Sequence, residues 1–382
     1  MILKISLKPL DKFFFGGENS FKETGGNDND RRATYLLHSR NYPQQTGILG
    51  LIRNQLLLQS GLLSDNSAQV KDKAAAKELI GDKSFRMGAT GPYGIIEAVG
   101  PVFLGDAGGS SWWPAPLDDV LMKKEDDPPY AMQLEKNGRH AFLQGYLEKL
   151  GLHAQLQRIS GDNLTMDAAF VTQEQVGISK GAKPWGNEIV GQDDEEGYYY
   201  QGFVRFAASK ENTVTPDRFC CYLKLLEAQS PLISGIVEMG GERSTFYMDV
   251  EPMDELTDIP EPEPVAYRNT TRAAGIATLV CMSPAWIPDQ EALQKHALLL
   301  ATQTIPFRFL KSEANTDHHQ NVQRKNRHQP NGNVTESKLY QLLDRGSVVH
   351  FDAANETLKN TITHLFNHPG LQQIGYNQYC LI

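Results

Sequence analysis

The stretch "SGIVEMGGERSTFYMDVE" (residues 234–251) contains two β-like runs on either side of Gly240, Gly241, Glu242 and Arg243. Two glycines between such runs predict a hairpin turn, because glycine tolerates the positive φ angles of tight turns. The same glycines also let a phosphate approach the backbone closely, with Arg243 beside it. The sequence therefore predicts a turn here, and it leaves open a role in binding an anion.

The segments around this hairpin predict an α+β fold. Residues 2–7 alternate apolar and polar side chains, as a half-buried strand does, and residues 15–32 form a Gly- and Asn-rich loop. The order of predicted elements favours helices packed on one face of an antiparallel sheet, as in ferredoxin-like (RRM-like) units. We therefore predict two ferredoxin-like domains, 1–190 and 191–382, with long insertions and a glycine-rich loop. The predicted elements of the second domain include strand 198–207, helix 216–229, strands 233–239 and 243–250, strand 274–282, helix 289–303, strand 346–351, helix 355–367 and strand 374–382.

A helix is predicted from Thr46, as its N-cap, to a stop at Gly61. Its first turn carries N–H groups without partners in the helix, and these favour anions. Arg53 lies two turns further on, where it reaches either a phosphate or only solvent. The residues predicted to share the buried face are Leu49, Ile52, Leu56 and Leu57.

Length and composition fit a folded chain of about two domains, since it has 382 residues of which 40% are hydrophobic and 22% charged. No apolar stretch approaches the length of a membrane span, so we expect a cytoplasmic protein with no membrane partner. The four cysteines lack CxxC spacing and are expected to be buried thiols. His318 and His319 beside Asp317 are a weak metal candidate. Because no nucleotide-binding motif is present either, we expect no metal and no cofactor.

The formal net charge of -9 argues against nucleic-acid binding, which depends on Lys and Arg. The charge is unevenly distributed, however. Residues 1–60 hold eight basic against five acidic residues, and residues 308–345 hold seven against four. Residues 249–263 hold seven acids and no Lys or Arg. The sequence thus predicts two basic regions and an acidic face, although solvated loops also explain acidic runs.

Several motifs, in order along the chain, resemble those of one known family. They are "PLDKFFFGG" near the N-terminus, the segment from Ser39 through Tyr42, Pro43, Thr46 and Gly50 to Arg53, "WWPAPLDDV", the run 176–178, the glycine-rich loop 240–243, and the "GSV" strand 346–348. The chain resembles the RAMP superfamily of CRISPR-associated proteins, and within it the third subunits of type III-B (Cmr) effector complexes, which are Cas-five-like.

The resemblance implies two ferredoxin-like domains and a non-catalytic role in an antiviral ribonucleoprotein. Such subunits hold the 5′ tag of the CRISPR guide RNA (crRNA) and join the large polymerase subunit to the backbone subunits. Single-stranded RNA is held by main-chain N–H groups and basic side chains, with bases stacked on aromatic rings. The residues expected to bind RNA are Phe15, Arg31, Arg32, Ser39, Arg40, Gln45, Thr46, Arg53, Gly240, Gly241, Glu242, Arg243, Ser244 and Arg345.

Two alternatives stay open. The chain could be a RAMP endoribonuclease that processes precursor crRNA with His38 or a loop histidine as general base, although no second acid–base residue is identifiable nearby. It could also be a scaffold that touches only protein. The phenylalanines of "FFF" (residues 13–15) could likewise belong to the core instead of stacking on bases.

Overall fold

A computed structural model of the chain describes residues 1–17, 19–24, 32–63, 70–81, 84–119, 121–122, 130–131, 133–137, 140–144, 154–158, 162–178, 198–209, 214–226, 232–263, 275–313 and 333–382. The strands up to residue 252 are β1 (Ile2–Pro9), β2 (Asn19–Thr24), β3 (Arg32–His38), β4 (Ile96–Val99), β5 (Phe103–Gly105), β6 (Ser111–Pro114), β7 (Leu121–Met122), β8 (Tyr130–Ala131), β9 (Gln133–Asn137), β10 (His140–Gln144), β11 (Gln155–Arg158), β12 (Asn163–Thr165), β13 (Phe170–Ile178), β14 (Tyr198–Phe206), β15 (Arg218–Leu225), β16 (Gly235–Glu238) and β17 (Thr245–Pro252). The later strands are β18 (Ile276–Cys281), β19 (Leu299–Ala301), β20 (Thr304–Phe307), β21 (Leu310–Glu313), β22 (Asn333–Glu336), β23 (Tyr340–Leu343), β24 (Val348–Asp352) and β25 (Tyr379–Leu381). The helices are α1 (Gln45–Gln59), α2 (Lys73–Ile80), α3 (Met166–Ala169), α4 (Gln290–His296), α5 (Glu356–Phe366) and α6 (Pro369–Gln372).

The largest sheet has the strand order β12-β11-β6-β5-β15-β1-β17-β16, with β4 also paired to β15. Strand β1 lies between β15 and β17 and is antiparallel to both. Its alternation is as predicted, because Leu3, Ile5 and Leu7 are buried in the same core cluster as the apolar face of α1. The hairpin of the glycine-rich loop, β16–β17, forms one edge of this sheet. The predicted hairpin is confirmed.

Helix α1 has the predicted extent and buried face, but its N-cap is Gln44, not Thr46. The Gln44 carbonyl accepts the N–H groups of Gly47 and Ile48, so Thr46 already lies inside the first turn. At the other end Gly61 has φ +67°. The N–H groups of Gly61 and Leu62 bond back to the carbonyls of Leu58 and Leu57. This is the glycine stop expected from the sequence.

Several predictions of local structure are wrong. The helix predicted over 289–303 ends at His296 as α4, and residues 299–301 form the strand β19. Residues 19–24 lie within the predicted loop 15–32 but form the strand β2, which pairs with β3. The polar sequence of β2 hides the apolar alternation of a strand. Residues 216–229 were expected to form a helix, but 218–225 is the strand β15. It lies inside the largest sheet and is covered on both faces, since Phe219 and Cys221 pack toward α1 while Cys220 packs toward β18. A strand buried on both faces gives a nearly continuous apolar run that periodicity cannot separate from a buried helix.

Strand pairing divides the described chain at a different place from the predicted boundary at residue 190. Every described strand pair lies either within residues 1–252 or within residues 276–382. Strand β14, expected to begin the second domain, pairs with β3 and β13. We propose a division between 252 and 276, and we refer to 1–252 and 276–382 as the first and second units. The chain is a mixed α and β protein with several antiparallel sheets, as predicted; two ferredoxin-like domains stay a prediction.

The second unit contains a sheet of order β19-β24-β18-β25, with α5 packed on it through Ile362 and Phe366. Helix α5 has almost the bounds predicted for it. The four cysteines are free thiols, and three of them are buried, as expected. No helix of the described residues is long and apolar enough to cross a membrane.

A buried polar contact joins the two units. The imidazole Nε2 of His350 on β24 lies 2.7 Å from Oδ2 of Asp118 in the first unit, and its Nδ1 lies 2.9 Å from Oγ1 of Thr278 on β18. All three residues are at most 2% exposed. Asp118 ends the "WWPAPLD" segment, and the preceding Leu117 N–H donates to the Gly346 carbonyl. This segment therefore acts as a structural connection between the units.

We expect Asp118→Ala to lower the free energy of unfolding by about 3 kcal/mol, because a buried imidazole nitrogen would lose its partner. Urea denaturation of the isolated subunit measures the change. Asp254→Ala, at an exposed aspartate, is the matched control and should change stability by less than about 0.5 kcal/mol. Equal stabilities of the two variants would show that the junction does not depend on this contact.

Candidate nucleic-acid interface

The three phenylalanines of "FFFGG" (residues 13–17) are buried, and the core fixes their position. The Phe13 ring is fully buried and lies 4.7 Å from the Phe15 ring and 5.3 Å from the Phe219 ring, centroid to centroid. Its backbone N–H and carbonyl both bond to Val204 of β14. Phe15 is also buried and stacks on Phe246 at 5.8 Å. The expectation that Phe15 stacks on an RNA base is therefore corrected, since its ring belongs to the core.

Two predicted RNA-binding serines hold this loop instead. The Phe14 N–H donates to Oγ of Ser244 and the Phe15 N–H to Oγ of Ser39, both at 2.9 Å. Each hydroxyl also donates to a nearby carbonyl, that of Gly241 for Ser244 and that of Arg40 for Ser39. Ser244 thus connects the glycine-rich loop to the loop 13–17, and Ser39 connects the segment before α1 to the same loop.

The glycines of the glycine-rich loop serve the same contact. The Gly241 N–H donates to the Phe14 carbonyl at 2.8 Å. Gly240 has φ +85°, and a Cβ on it would lie 2.4 Å from the Phe14 carbonyl oxygen. A Cβ on Gly241 would lie 2.8 Å from the Phe14 ring. We expect these glycines to allow close approach of an RNA backbone. In the structure the group that lies close to them is Phe14 of the same chain.

Arg243 is the exposed cation of this loop. Its side chain is 85% exposed, and its Nε lies 4.0 Å from a carboxylate oxygen of Glu238. An exposed ion pair at that distance contributes little. Its backbone has φ +50°, which is uncommon for a residue with a side chain and marks local strain. Arg243 is thus presented to solvent in a fixed and unfavourable backbone conformation.

A cavity of about 370 Å³, here called the junction cavity, lies between the two units. One wall is the segment from His38 to Gln45, and the rim includes Gly17 of the loop 13–17. The second unit supplies Pro284, Ile305, Pro306, Phe307, Leu342, Asp344, Arg345 and Tyr376. The Arg40 guanidinium donates to the Pro306 carbonyl across this cavity. Four of the predicted RNA-binding positions, Ser39, Arg40, Gln45 and Arg345, are therefore brought together here.

Arg345 is buried, not exposed, and lies over the Tyr42 ring at 4.2 Å. Its backbone N–H donates to Oδ1 of Asp344 at 2.8 Å. Burial raises the pKa of Tyr42, although the positive charge of Arg345 acts in the opposite direction. Burial also raises the pKa of Tyr376 to about 12, despite the opposing effect of Thr46. Both phenols are therefore neutral at physiological pH, and neither serves as a base.

Gln45 is fully buried, and its side chain lines the junction cavity. Its Nε2 donates to the carbonyls of Gly375 and Gly100, at 2.9 and 3.2 Å. The amide therefore ties the start of α1 to the second unit and to the loop before β5. Its role in the fold is to position the helix.

A second cavity of about 360 Å³ lies beside the first turns of α1. Two further predicted RNA-binding residues, Thr46 and Arg53, line it. Gly47 and Gly50 line it with open space above them. Arg53 donates to the Gly81 carbonyl at 3.3 Å, and Arg308 of the second unit lines the same cavity. No acidic residue is among its described lining residues. Gln44 lines both cavities, so they are neighbours along one surface.

Some expectations lie outside the described residues. They concern Arg31, the side chains of Arg32 and Glu242, and the histidine pair 318–319. His38 is exposed and lines the junction cavity. Among the described residues no group of His, Cys, Asp and Glu side chains is placed to hold a metal.

Sequence reasoning missed Asp344, Tyr376 and Arg308 as site residues. Arg308 and Asp344 lie within the basic region 308–345, so the charge pattern of the sequence already indicated this part of the chain. Tyr376 comes from a C-terminal turn, and nothing in its local sequence separates it from a core tyrosine.

The fold and these sites together define a mixed α and β protein with two neighbouring cavities that are lined in part by arginines. The family model of CRISPR-associated protein (Cas_Cmr3) matches residues 5–382, and the chain belongs to that family. No curated protein sequence matches it. A chain of the solved "Cryo-EM structure of the Type III-B Cmr-beta bound to cognate target RNA" is similar over 98% of this chain and 96% of its own, with 13% identity and a TM-score of 0.47. A chain of the corresponding structure with "target RNA and AMPPnP, state 1" covers 98% and 94%, with 12% identity and a TM-score of 0.44.

We expect Gly240→Ala to destabilise the subunit by about 2 to 3 kcal/mol, because the new Cβ meets the Phe14 carbonyl and the positive φ adds strain. Gly235→Ala, in the same hairpin, is the control, since its Cβ would meet open space at an ordinary φ. Thermal and urea unfolding of the isolated chain compare the two variants. If Gly240→Ala is as stable as Gly235→Ala, the close approach to Phe14 does not constrain this loop.

Proposed function

We propose that the chain is the guide-RNA-binding subunit of a type III-B CRISPR effector complex. It anchors the 5′ tag of the crRNA, docks the large polymerase subunit beside the backbone subunits, acts in the cytoplasm and cleaves nothing itself. Membership of the Cas_Cmr3 family supports a subunit of the type III-B complex. The proposed role in binding the tag depends on the geometry of the candidate nucleic-acid interface.

One observation carries the tag-binding role: the glycine-rich loop, the loop 13–17 and the Ser39 segment form a single hydrogen-bonded surface. Arg243 is exposed on this surface. Gly17, at the other end of the loop 13–17, lines the junction cavity together with Arg40 and Arg345. Rigid backbone, separated cations and cavities of nucleoside size suit a single strand, in which phosphates are paired with Arg and Lys and bases are splayed out.

Crosslinking of a reconstituted complex, loaded with a guide that carries photoreactive nucleotides in its tag, tests this role. We expect crosslinks to this subunit at the tag and not at the spacer. Crosslinks confined to other subunits would contradict the proposal and favour a protein-only scaffold. Site-specific, metal-independent cleavage of repeat RNA by the purified chain would instead favour the ribonuclease alternative with His38.

Replacing Arg243 separates binding from folding. We expect Arg243→Ala to lower tag affinity by about 1 to 3 kcal/mol, the scale of a charge-assisted contact or a lost stack, with an almost unchanged melting temperature. Arg243→Gly removes the same cation and also relieves the positive φ. It should lose as much affinity as Arg243→Ala while being about 1 kcal/mol more stable. Filter binding measures the tag affinity of both variants, and urea unfolding measures their stability. Normal affinity in both variants would show that the loop is only a turn and does not bind the tag.

Arg53→Ala tests the second cavity. We expect weaker guide binding and a shallower salt dependence, by roughly 0.7 in the slope of log K against log salt for one lost phosphate contact on a single strand. Lys295→Ala, on the short helix α4, is the control for the loss of one positive charge elsewhere. Identical salt slopes in wild type, Arg53→Ala and Lys295→Ala would show that Arg53 makes no phosphate contact.

A further inference from the structure

The walls of the junction cavity are mostly apolar. Tyr42 and Pro43 line one side, and Pro284, Ile305 and Phe307 line the other. Its volume of about 370 Å³ is near the lower end for ligand sites, which span roughly 300 to 1,000 Å³. Such a space suits one flat group of nucleoside size, with its faces against apolar side chains, but it does not hold several nucleotides.

The polar groups of the cavity carry both signs of charge. Asp344 and Arg345 line it side by side, and the Arg345 backbone N–H fixes the Asp344 carboxylate at 2.8 Å. A phosphate offers only acceptors, so it could pair with the guanidinium groups of Arg40 and Arg345 but would leave this carboxylate without a donor. The edge of a nucleobase, in contrast, carries hydrogen-bond donors and acceptors next to each other. The cavity chemistry therefore favours a base edge over a phosphate.

Three buried polar atoms of cavity-lining side chains have no hydrogen-bond partner in the described part of the chain. They are Oε1 of Gln45, an acceptor, Nε of Arg345, a donor, and the hydroxyl of Tyr376, which can act as either. Gln45 is fully buried and Arg345 is 9% exposed. Buried polar groups are nearly always paired, so this combination points to a ligand that supplies both a donor and an acceptor. An amino group and a ring nitrogen or carbonyl of one base meet that requirement.

The rim of the cavity connects it to the proposed RNA path. Gly17 and His38 are exposed there, and Gly17 belongs to the loop that the glycine-rich loop contacts through Phe14. A strand held on that loop by its phosphates therefore passes the opening of the cavity.

We propose that the junction cavity binds a single unstacked nucleobase, with Asp344, Arg345 and Gln45 reading its edge and the apolar walls holding its faces. The proposal rests on the proposed function, since the base belongs to the tag of the guide RNA. It makes one tag position base-specific, while the remaining contacts read the sugar-phosphate backbone.

The test uses the reconstituted complex and a series of guides with one abasic nucleotide at each tag position in turn. We expect one position at which loss of the base lowers guide retention about tenfold, whereas the other positions change little. Ile305→Trp fills the cavity and should show the same loss with an intact guide, and no further loss with the sensitive abasic guide. Thr304→Trp is the matched control, because Thr304 is the exposed neighbour of Ile305 on β20.

Asp344→Asn keeps the side-chain volume and provides a second variant should Ile305→Trp fold poorly. It should change which of the four bases is preferred at the sensitive position. Equal retention of all abasic guides, together with an unchanged base preference in Asp344→Asn, would overturn the base site and leave tag binding intact. Loss of a partner subunit from Ile305→Trp, with the guide retained, would also overturn it, because the cavity would then hold a protein side chain. If no tag nucleotide crosslinks to the wild-type subunit, the proposed function itself fails.

Discussion

The packing of Phe13 and Phe15 into the core is the constraint on which the rest of the site depends. Their rings lie among those of Phe219 and Phe246, on strands far apart in the sequence. Burying large aromatic rings is strongly favourable, so the backbone between them has little freedom to move. The Phe14 carbonyl and the N–H groups of Phe14 and Phe15 are consequently fixed, and the glycine-rich loop and the Ser39 segment bond to these groups. The geometry of the site thus originates in the core and not in the loops themselves.

This origin divides the predicted site residues into two roles. Gly240, Gly241, Ser39 and Ser244 position the loops, because their close approaches and hydroxyl bonds are made within the chain. Arg243 differs, because its side chain extends into solvent. Residue types that suit RNA binding, namely small residues and hydroxyls beside cations, also suit tight contacts between loops. Sequence alone could not separate these roles, since the difference lies in what each group already touches.

The parts of the fold that the sequence predicts are those with local signals. Helix α1 is recognisable from its apolar face and the glycine stop at Gly61, and α5 from its 3.6-residue period. Strand β15 was missed because both of its faces are buried. The pairing of β1 with β15 and β17 could not be predicted, because these strands lie more than 200 residues away in the sequence. The junction cavity was missed for the same reason: Asp344 and Tyr376 reach the His38–Gln45 segment only through tertiary packing.

The net charge of -9 is compatible with an RNA site, since a phosphate responds mainly to charges within roughly 8 Å at physiological salt. Part of the acidic charge of residues 249–263 is paired within the chain. Lys224 on β15 forms ion pairs with Asp258 of this segment and with Glu97 on β4. The second cavity is lined by Arg53 and Arg308, and its described lining contains no acid. Two arginines thus line that cavity although the whole chain is acidic. An acidic exterior also limits non-specific attraction to other nucleic acids, so affinity has to come from the few sites where cations and a shaped backbone coincide.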